Sequence, residues 1–379
     1  MVGVAVGTMA LIVVLSVFNG LEDIIRGLYA SFDAELKIEP AQGKSFEVSQ
    51  GWLDSLNHVE GVEYMIEVIE DNALLKYQDD QLVVTMKGVT GNFLDKKRFS
   101  QGQFSGKLTL GTDKQPQAIL GRGVAFFLGV DPDNVFEKLR MYYPKAPRAG
   151  TIDPRQMYNS AILGFAGSYS VEKQFDDNYV VVPLVFAQDL MDYGDRRTSL
   201  EVMVKEGFTI DEVKAGLKKV LGSDYTVKDR DEQHAGLIRA IKVEKLFVFV
   251  TLTFILAVAS FNIFFSLSML AIEKKKDIAV MLAMGATERL IRSIYIKQGA
   301  IIAFTGALAG LIMGYIFCLL QKAFGLISLG VASSVVNAYP IKMVWTDFLW
   351  TSLSVVVITF LASYRPASIA AKINTVENL

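Results

Sequence analysis

Four long stretches of the chain contain almost only apolar residues. The clearest is 246–272, in which 27 consecutive positions carry no charged side chain. About 20 apolar residues span a bilayer as a helix, because only a helix pairs every backbone group where water is absent. Similar runs occupy 1–19, 299–320 and 343–364, the last with Asp347 near one end. The sequence therefore predicts an α-helical membrane protein with four transmembrane helices.

Composition supports this interpretation. Apolar residues make up 51% of the 379 residues, and the mean hydropathy is +0.34, which is high for a soluble chain. The net charge of −2 gives no reason to expect nucleic acid as a partner. The single cysteine, Cys318, lies in an apolar run, and His58 and His234 are far apart in sequence. We therefore predict no disulfide framework, no metal site and no catalytic residues in this chain.

Two glycine-containing motifs only partly resemble phosphate-binding loops. The GKS motif at 43–45 lacks the glycine required five positions earlier, where Ile38 lies in a predicted strand. The GRG motif at 121–123 is followed by Phe126 and Phe127 instead of a third glycine, which favours a tight turn into a helix. The sequence therefore predicts no nucleotide site of its own.

Basic residues in the short connections predict the orientation. Cytoplasmic loops are enriched in Lys and Arg. The connection 272–298 is strongly basic, whereas the next one contains Lys322 and Lys342. We therefore expect 272–298 and the C-terminal tail in the cytoplasm and 30–240 on the other side. The basic residues of the 272–298 loop are Lys274, Lys275, Lys276, Arg289, Arg292 and Lys297.

Both ends of the outer segment are predicted to be helical stalks that continue the membrane helices, because apolar residues recur there at helical spacing. The first run lacks a basic n-region and an A-x-A cleavage site, so we interpret it as a membrane helix rather than a signal peptide. No Lys or Arg precedes it, and we expect the natural start to lie upstream of Met1. The apolar stalk positions are Leu21, Ile24, Ile25, Leu28 and Phe32, then Leu237, Ile238, Ile241 and Leu246.

Between the first two membrane helices, apolar alternation predicts a large α+β domain. Two β/α halves, at about 30–95 and 176–230, flank an insertion at about 95–175. The predicted strands are 34–39, 63–69, 73–78, 81–87, 178–182, 199–204 and 224–228, and the predicted helices are 50–57, 183–193 and 209–220.

Within the insertion, 142–158 combines three prolines with basic residues, which is typical of an exposed hairpin or loop. It is either a solvated loop without a partner or a surface for a partner with an acidic rim. The candidate residues are Pro144, Lys145, Pro147, Arg148, Pro154 and Arg155.

The cytoplasmic loop contains a short apolar helix whose side chains must be shielded from water. Ile278, Met281, Leu282 and Met284 lie on it, and Gly285 ends it. Methionine suits a groove that changes shape. Either the membrane interface or a soluble partner covers this helix.

The third apolar run carries Gly306, Gly310 and Gly314 at intervals of four. Small residues at this spacing let two membrane helices approach closely, either within one bundle or between subunits. The runs 1–19, 246–272 and 299–320 have no ionisable residue in their cores, and we expect Asp347, in the fourth run, near an interface. Ion coupling is therefore not predicted, and the energy for any transport must come from elsewhere.

Three segments resemble a known family: VGVAVGTMALIVVLSVFNGLE, AVASFNIFFSLSMLAIEKKKDIAVMLAMGAT and PASIAAKINTVENL. They are similar to lipoprotein-releasing ABC transporter permeases of the LolC/LolE type, within the wider group that includes MacB and FtsX. The resemblance is strong over 1–29, 237–321 and 362–379 and loose over 30–236. The VLSVFNGLE segment favours the LolC/LolE branch.

The resemblance implies an assembly of two permease subunits, identical or different, with two copies of a separate ATP-binding subunit that uses ATP and Mg²⁺. The permease itself would be non-catalytic, and its loop helix would couple to the ATPase. The outer domain would consist of Porter-like halves and a Sabre-like insertion, in which 142–158 corresponds to a Hook that receives a periplasmic carrier.

The implied substrate is an acylated lipoprotein taken from the outer leaflet of the bacterial inner membrane. Its path would face membrane lipids and the partner permease. The residues expected along this path are Val17, Phe18, Leu21, Ile24, Ile25, Phe247, Val250 and Phe254.

The predicted organisation places two membrane helices on each side of the cytoplasmic loop. Its segments are 1–29 (first helix and stalk), 30–236 (periplasmic domain), 237–272 (stalk and second helix), 273–298 (cytoplasmic loop with the coupling helix), 299–321 (third helix), 322–342 (periplasmic connection), 343–364 (fourth helix) and 365–379 (cytoplasmic tail).

The alternative function is a MacB-like exporter of a small molecule or peptide that works with a periplasmic adaptor. A third class is a regulator that transmits ATPase motion to a cell-wall enzyme.

Overall fold

A computed structural model of the protein shows two compact units. The described residues are 2–30, 32–94, 103–130, 138–145, 157–328 and 338–371. A helical unit comprises Met1–Ile25 and Gly236–Leu379, and an α+β unit comprises Arg26–Ala235. The α+β unit therefore interrupts the helical unit in sequence, as the apolar runs predicted.

Helices α1, α8, α10 and α11 are long and apolar enough to span a membrane, which confirms the predicted fold class. The helices of the described residues are α1 (Val2–Ala30), α2 (Gln50–Asn57), α3 (Arg122–Phe127), α4 (Lys173–Asn178), α5 (Leu184–Met191), α6 (Ile210–Leu221), α7 (Arg230–Gln233), α8 (Ala235–Glu273), α9 (Lys275–Ala283), α10 (Glu288–Phe324) and α11 (Trp345–Ala371).

The α+β unit is built on one large mixed sheet. Its strands are β1 (Leu36–Pro40), β2 (Phe46–Glu47), β3 (Val62–Tyr77), β4 (Asp80–Val89), β5 (Gln103–Gly106), β6 (Gly111–Thr112), β7 (Gln115–Gly121), β8 (Leu139–Pro144), β9 (Tyr158–Ser170), β10 (Tyr179–Pro183), β11 (Arg196–Arg197), β12 (Ser199–Val204) and β13 (Tyr225–Asp229). The main sheet has the order β13-β1-β12-β3-β4-β10-β7-β9-β5, β6 pairs with β7, and β8 pairs with both β3 and β9. A separate small sheet joins β11 to β2.

Strand β3 corrects the sequence prediction of two strands, at 63–69 and 73–78. It is one strand of 16 residues. The polar residues at its centre do not break it, because neighbouring strands satisfy them. The Glu70 carboxylate accepts a hydrogen bond from the Tyr179 hydroxyl (3.0 Å), and Asp71 accepts one from the Tyr143 hydroxyl (2.8 Å).

The end of helix α1 leads into an aromatic cluster of the α+β unit. Phe32 is 1% exposed, and its ring stacks on Phe175 with 4.3 Å between centroids. The Lys87 ammonium lies 4.5 Å from the centre of the Phe32 ring and forms a buried ion pair with Glu201 at 2.7 Å. A buried charge needs such a partner. Phe32, just after the first stalk, is therefore held in place by ring stacking and by its contact with the Lys87 ammonium.

Helix α1 is continuous over 29 residues, so the first span and its predicted stalk form one helix. Helix α10 is continuous over 37 residues and begins at Glu288, well before the predicted start of the third membrane helix at 299. Thr287 caps α10, since its hydroxyl accepts a hydrogen bond from the Leu290 backbone N–H (3.3 Å).

Two of the three predicted glycine positions of α10, Gly310 and Gly314, lie against α1 of the same chain. Gly306, Gly310 and Gly314 are all buried. A β-carbon on Gly310 would lie 2.4 Å from the Ala5 carbonyl oxygen, and one on Gly314 would lie 3.3 Å from Ile12 Cβ. This arrangement corresponds to the first of the two sequence interpretations, packing within one bundle.

We predict that Gly310→Ala lowers the free energy of unfolding by about 1–3 kcal/mol, because the added methyl group must displace α1. Thermal unfolding of the detergent-solubilised protein measures the effect. Gly236→Ala on α8 is the matched control, since no atom lies within 4 Å of a β-carbon there and Ala favours helix. Equal destabilisation by both substitutions would contradict the packing role of Gly310.

Candidate functional surfaces

The short helix α9 divides its apolar residues between two environments. Ile278 is buried in the helical core, and Met281 and Leu282 are partly buried against the same core. Val280 and Met284 are exposed, at 45% and 75%. The sequence grouped Ile278 with the partner-facing residues, and the structure corrects this: Ile278 is buried, and Val280 and Met284 are the large apolar side chains of this segment that are exposed.

The end of α9 is set by Gly285. Its φ of +97° lies in the left-handed region that favours glycine. The Gly285 N–H donates to the Leu282 carbonyl oxygen (3.0 Å), which closes the last turn. Exposed Met284 therefore lies at a defined chain reversal rather than in the middle of a helix.

Helix α8 buries one face and exposes the other. Leu256 and Ile263 are 0% and 3% exposed, whereas Phe247, Val250 and Phe254 are 72%, 56% and 69% exposed. In a membrane, the exposed face must contact lipid or another apolar surface. The face continues at intervals of three or four residues through Val258, Phe261, Phe265, Met269 and Ile272, all exposed.

The residues that the sequence assigned to the same path on α1 are less accessible. Val17, Phe18, Leu21, Ile24 and Ile25 are all partly buried. The structure thus leaves the α8 part of the predicted path open and covers part of the α1 portion.

A polar cluster, defined here as Asn19, Lys245 and Asp347, joins α1, α8 and α11. The Asn19 side-chain amide donates to Asp347 Oδ2 (2.6 Å). The Lys245 ammonium donates to Asn19 Oδ1 (2.7 Å) and to both Asp347 oxygens (3.1 and 3.2 Å). Each member therefore bonds to the other two.

The 340–342 segment lies across α1 beside the polar cluster. The Lys342 backbone N–H donates to the Ser16 carbonyl oxygen (3.0 Å), and the Lys342 ammonium pairs with the Asp23 carboxylate. A β-carbon on Gly20 would lie 2.3 Å from the Pro340 carbonyl oxygen. Glycine is therefore required for this close approach.

The base of the predicted carrier loop is a β-hairpin. Pro144 pairs with Tyr158 across β8 and β9, and the Lys145 N–H donates to the Met157 carbonyl oxygen (2.8 Å). The remaining candidate residues Pro147, Arg148, Pro154 and Arg155 lie outside the described residues. A groove of about 1790 Å³ adjoins this base, and its lining includes Asn72, Lys76, Tyr142, Tyr158, Asp189 and Arg196.

An ion pair and a histidine–carboxylate contact join the two stalk ends within the α+β unit. Arg26 pairs with Asp231 at 2.7 Å, and His234 Nε2 lies 2.5 Å from Asp33 Oδ2. The His234 ring also packs on the Tyr29 ring, with 3.9 Å between centroids. His234 is thus part of a contact between the first stalk and the start of the second.

A second charged group precedes α7. The Lys214 ammonium donates to Asp229 at 2.6 Å and to Glu232 at 2.5 Å. Partial burial disfavours the charged form of Asp229 and by itself would raise its pKa. The hydrogen bond from Lys214 outweighs this effect, so the pKa of Asp229 is lowered. Asp229 therefore stays charged and caps α7, because it also accepts a hydrogen bond from the Glu232 N–H (2.9 Å).

The GRG motif lies at a junction between a strand and a helix. Gly121 ends β7 directly before α3, and a β-carbon there would lie 2.2 Å from the Asp176 carbonyl oxygen, so the motif makes the predicted tight turn. In the described residues, no group of three or more His, Cys, Asp or Glu side chains could hold a metal ion.

Sequence reasoning missed the polar cluster and Val280. The only signal for the cluster was the placement of three polar residues at one end of three apolar runs. Val280 lies in the same apolar stretch as its buried neighbours, so the sequence does not reveal which residues of α9 face outward.

An α+β domain inserted between the first two of four membrane helices defines a class of membrane permeases. Residues 1–220 match the family model described as MacB-like periplasmic core domain, and 249–375 match the FtsX-like permease C-terminal model. The chain belongs to this family of MacB-like and FtsX-like permeases.

Named relatives are similar over the full length of the chain. The lipoprotein-releasing system transmembrane protein LolC of Xylella fastidiosa (strain 9a5c) is 26% identical over 100% of this chain and 92% of its own length. The corresponding LolE protein of Haemophilus influenzae (strain ATCC 51907 / DSM 11121 / KW20 / Rd) is 23% identical over the same shares. The predicted resemblance to the LolC/LolE type is thereby confirmed. The solved periplasmic region of MacB from Actinobacillus actinomycetemcomitans covers 55% of this chain and 94% of that chain, at 11% identity and a TM-score of 0.39.

These matches agree with the predicted orientation. The chain is a multi-pass inner-membrane protein, and the domain between α1 and α8 lies in the periplasm. The relatives are ABC transporter permeases, which implies an ATPase as a partner.

Proposed function

We propose that this chain is the permease subunit of an ABC transporter that extracts acylated lipoproteins from the outer leaflet of the inner membrane. It passes them to a periplasmic carrier, and a separate ATPase subunit supplies the energy. The observation that carries the proposal is the full-length similarity to proteins named lipoprotein-releasing LolC and LolE. The chain itself is non-catalytic, and ATP and Mg²⁺ are bound by two copies of the ATPase.

The exposed face of α8 supports an acyl-chain path. Each buried CH₂ of an acyl chain contributes about 0.8 kcal/mol, so a path must be apolar throughout to compete with lipid. Phe247, Val250 and Phe254 provide such a surface at the periplasmic end of the helix. A second permease subunit, identical or different, completes the path on the opposite side.

Depletion of the protein tests the proposed function. Spheroplasts are pulse-labelled, and mature lipoproteins are followed in the inner membrane and in the released fraction. We expect lipoproteins to accumulate in the inner membrane and re-expression of the chain to restore release. Normal lipoprotein release with failed export of a small molecule or peptide would instead support the MacB-like exporter.

Photo-crosslinking at Phe254 adds a readout on the path itself. A crosslinker there should capture lipoprotein before ATP is added and lose it afterwards. Phe304 on α10 is the matched control, since it is equally exposed, at 68% against 69% for Phe254, and should capture only phospholipid. Capture of phospholipid alone at both positions would count against an acyl path on α8.

The tip of α9 is the proposed contact with the ATPase. Val280 and Met284 are exposed anchors, and hydrophobic anchors in a groove contribute about 1–3 kcal/mol each. Ile278, buried beneath them, connects this tip to the core formed by α8, α10 and α11. A force on the tip is therefore applied to packed side chains rather than to a free loop.

We predict that Val280→Asp with Met284→Asp abolishes co-purification of the ATPase while the protein remains folded. Two lost anchors correspond to at least about thirtyfold weaker binding. Phe324→Asp with Leu326→Asp is the matched control, because these residues are also exposed but lie at the periplasmic end of α10. Unchanged co-purification of the α9 variant would rule out this contact.

The loop at 142–158 is the proposed carrier-binding site. Its base is fixed by the β8–β9 pairing, and the adjoining groove contains both basic and acidic side chains. Prolines restrict the backbone of this segment, so a partner that binds there faces a smaller ordering cost. Lys145 and the arginines of the loop favour a carrier with an acidic rim.

Replacement of 146–156 by Asn-Gly is expected to remove carrier binding and to leave the domain folded. The two-residue turn suits a hairpin and keeps the hydrogen bond between Lys145 and Met157. Calorimetric titration of the carrier measures affinity, and circular dichroism measures the fold. Lys114→Glu, in a separate exposed turn of the same domain, controls for the loss of positive charge. Retained affinity in the shortened hairpin would refute its role as the carrier site.

A further inference from the structure

The polar cluster is unusual because it places a charged pair among apolar helices. Asn19 is 7% exposed and Asp347 is 8% exposed. Removing a carboxylate from water is costly unless opposite charge and hydrogen bonds replace the water. The Lys245 ammonium and the Asn19 amide both supply that replacement.

Helices α1 and α11 are joined at this point by more than the cluster. The Asn19 amide also donates to the Lys342 carbonyl oxygen (3.2 Å). The backbone bond from Lys342 to Ser16 and the contact of Gly20 with Pro340 add further links between α1 and the segment that leads into α11. The periplasmic ends of α1 and α11 are therefore held together by several independent contacts.

Helix α8 reaches the cluster through the long side chain of Lys245. That side chain is 25% exposed, so water can reach the ammonium. If Lys245 withdraws, the bond of 2.6 Å between Asn19 and Asp347 remains. Within the cluster, the link to α8 can thus break while the link between α1 and α11 persists.

We propose that Lys245 is a positioning residue that holds the periplasmic end of α8 against the joined ends of α1 and α11, and that this contact opens during each transport cycle. The inference rests on the proposed function. Lys245 is two residues before Phe247 on α8, and Asn19 directly follows Phe18 on α1. The contact therefore sets the separation of the two helices at the periplasmic end of the acyl path.

Two variants separate the contribution of the cluster to stability from its role in attaching α8. Lys245→Met alone leaves Asp347 buried without a counter-charge, and the protein is expected to lose stability. Lys245→Met with Asp347→Asn removes that charge and retains an amide pair with Asn19. The double variant should therefore regain stability but not the attachment of α8.

The experiment uses the full chain in lipid nanodiscs with its ATPase. Spin labels are introduced by Leu246→Cys and Leu349→Cys, which are 62% and 69% exposed and outside the proposed path. Cys318, the single native cysteine, is replaced by Ser. Dipolar spectroscopy measures the separation of α8 and α11, thermal unfolding measures stability, and phosphate release measures ATP hydrolysis without cargo.

The double variant should unfold near the temperature of the unsubstituted protein but show a broader, longer distance distribution. Its cargo-free ATP hydrolysis should rise on the order of tenfold, the change that corresponds to about 1.4 kcal/mol, which is within reach of a lost charged hydrogen bond. Lys245→Ala with Asp347→Asn, which also removes both charges and truncates the side chain that reaches Asn19, is the second variant should the first double variant not fold, and the same broadening is expected.

An unchanged distance distribution with unchanged ATP hydrolysis in a stable variant would overturn the proposal and leave the cluster a structural ion pair. The distance measurement requires no lipoprotein. If the double variant separates the helices but depletion of the protein leaves lipoprotein release normal, the proposed function fails and the positioning role of Lys245 stands.

Discussion

The absence of water from the hydrocarbon core is the constraint on which the rest of this structure depends. It requires helices that pair all their backbone groups internally, and it removes the hydrophobic drive for these helices to associate. Association must then come from close packing and polar contacts. The protein uses both: α10 packs on α1 through Gly310 and Gly314, and the polar cluster joins α1, α8 and α11.

Much of the fold could be predicted because its signals are local. The apolar runs gave the four membrane helices, and periodicity gave β12 and α2 with their observed bounds. Thr209 and Glu212 form a complete capping box at the start of α6, the kind of signal that fixes a helix end from sequence. Strand β3 could not be predicted as one element, because the partners of Glu70 and Asp71 are distant in sequence.

The candidate site was less accessible to sequence reasoning for the same reason. Hydropathy identified α9 as apolar but could not divide it into the buried Ile278 and the exposed Met284. Asp347 was expected near an interface, but its partners are Asn19, 328 positions away, and Lys245, 102 positions away. Which polar residues meet depends on how helices cross, and that is decided by packing rather than by the pattern along any one helix.

Helix α1 takes part in the firmest contacts of both units. In the helical unit it carries Asn19 and Gly20 and is bonded to the 340–342 segment. In the α+β unit, Phe32, just beyond its end, is enclosed by aromatic rings and by Lys87. Helix α8 is different: its start is joined to the first stalk through His234 and Asp33, while much of its length exposes one apolar face. Of the two helices that lead to the periplasmic domain, α1 is thus suited to be the fixed reference and α8 the element whose position changes with its surroundings.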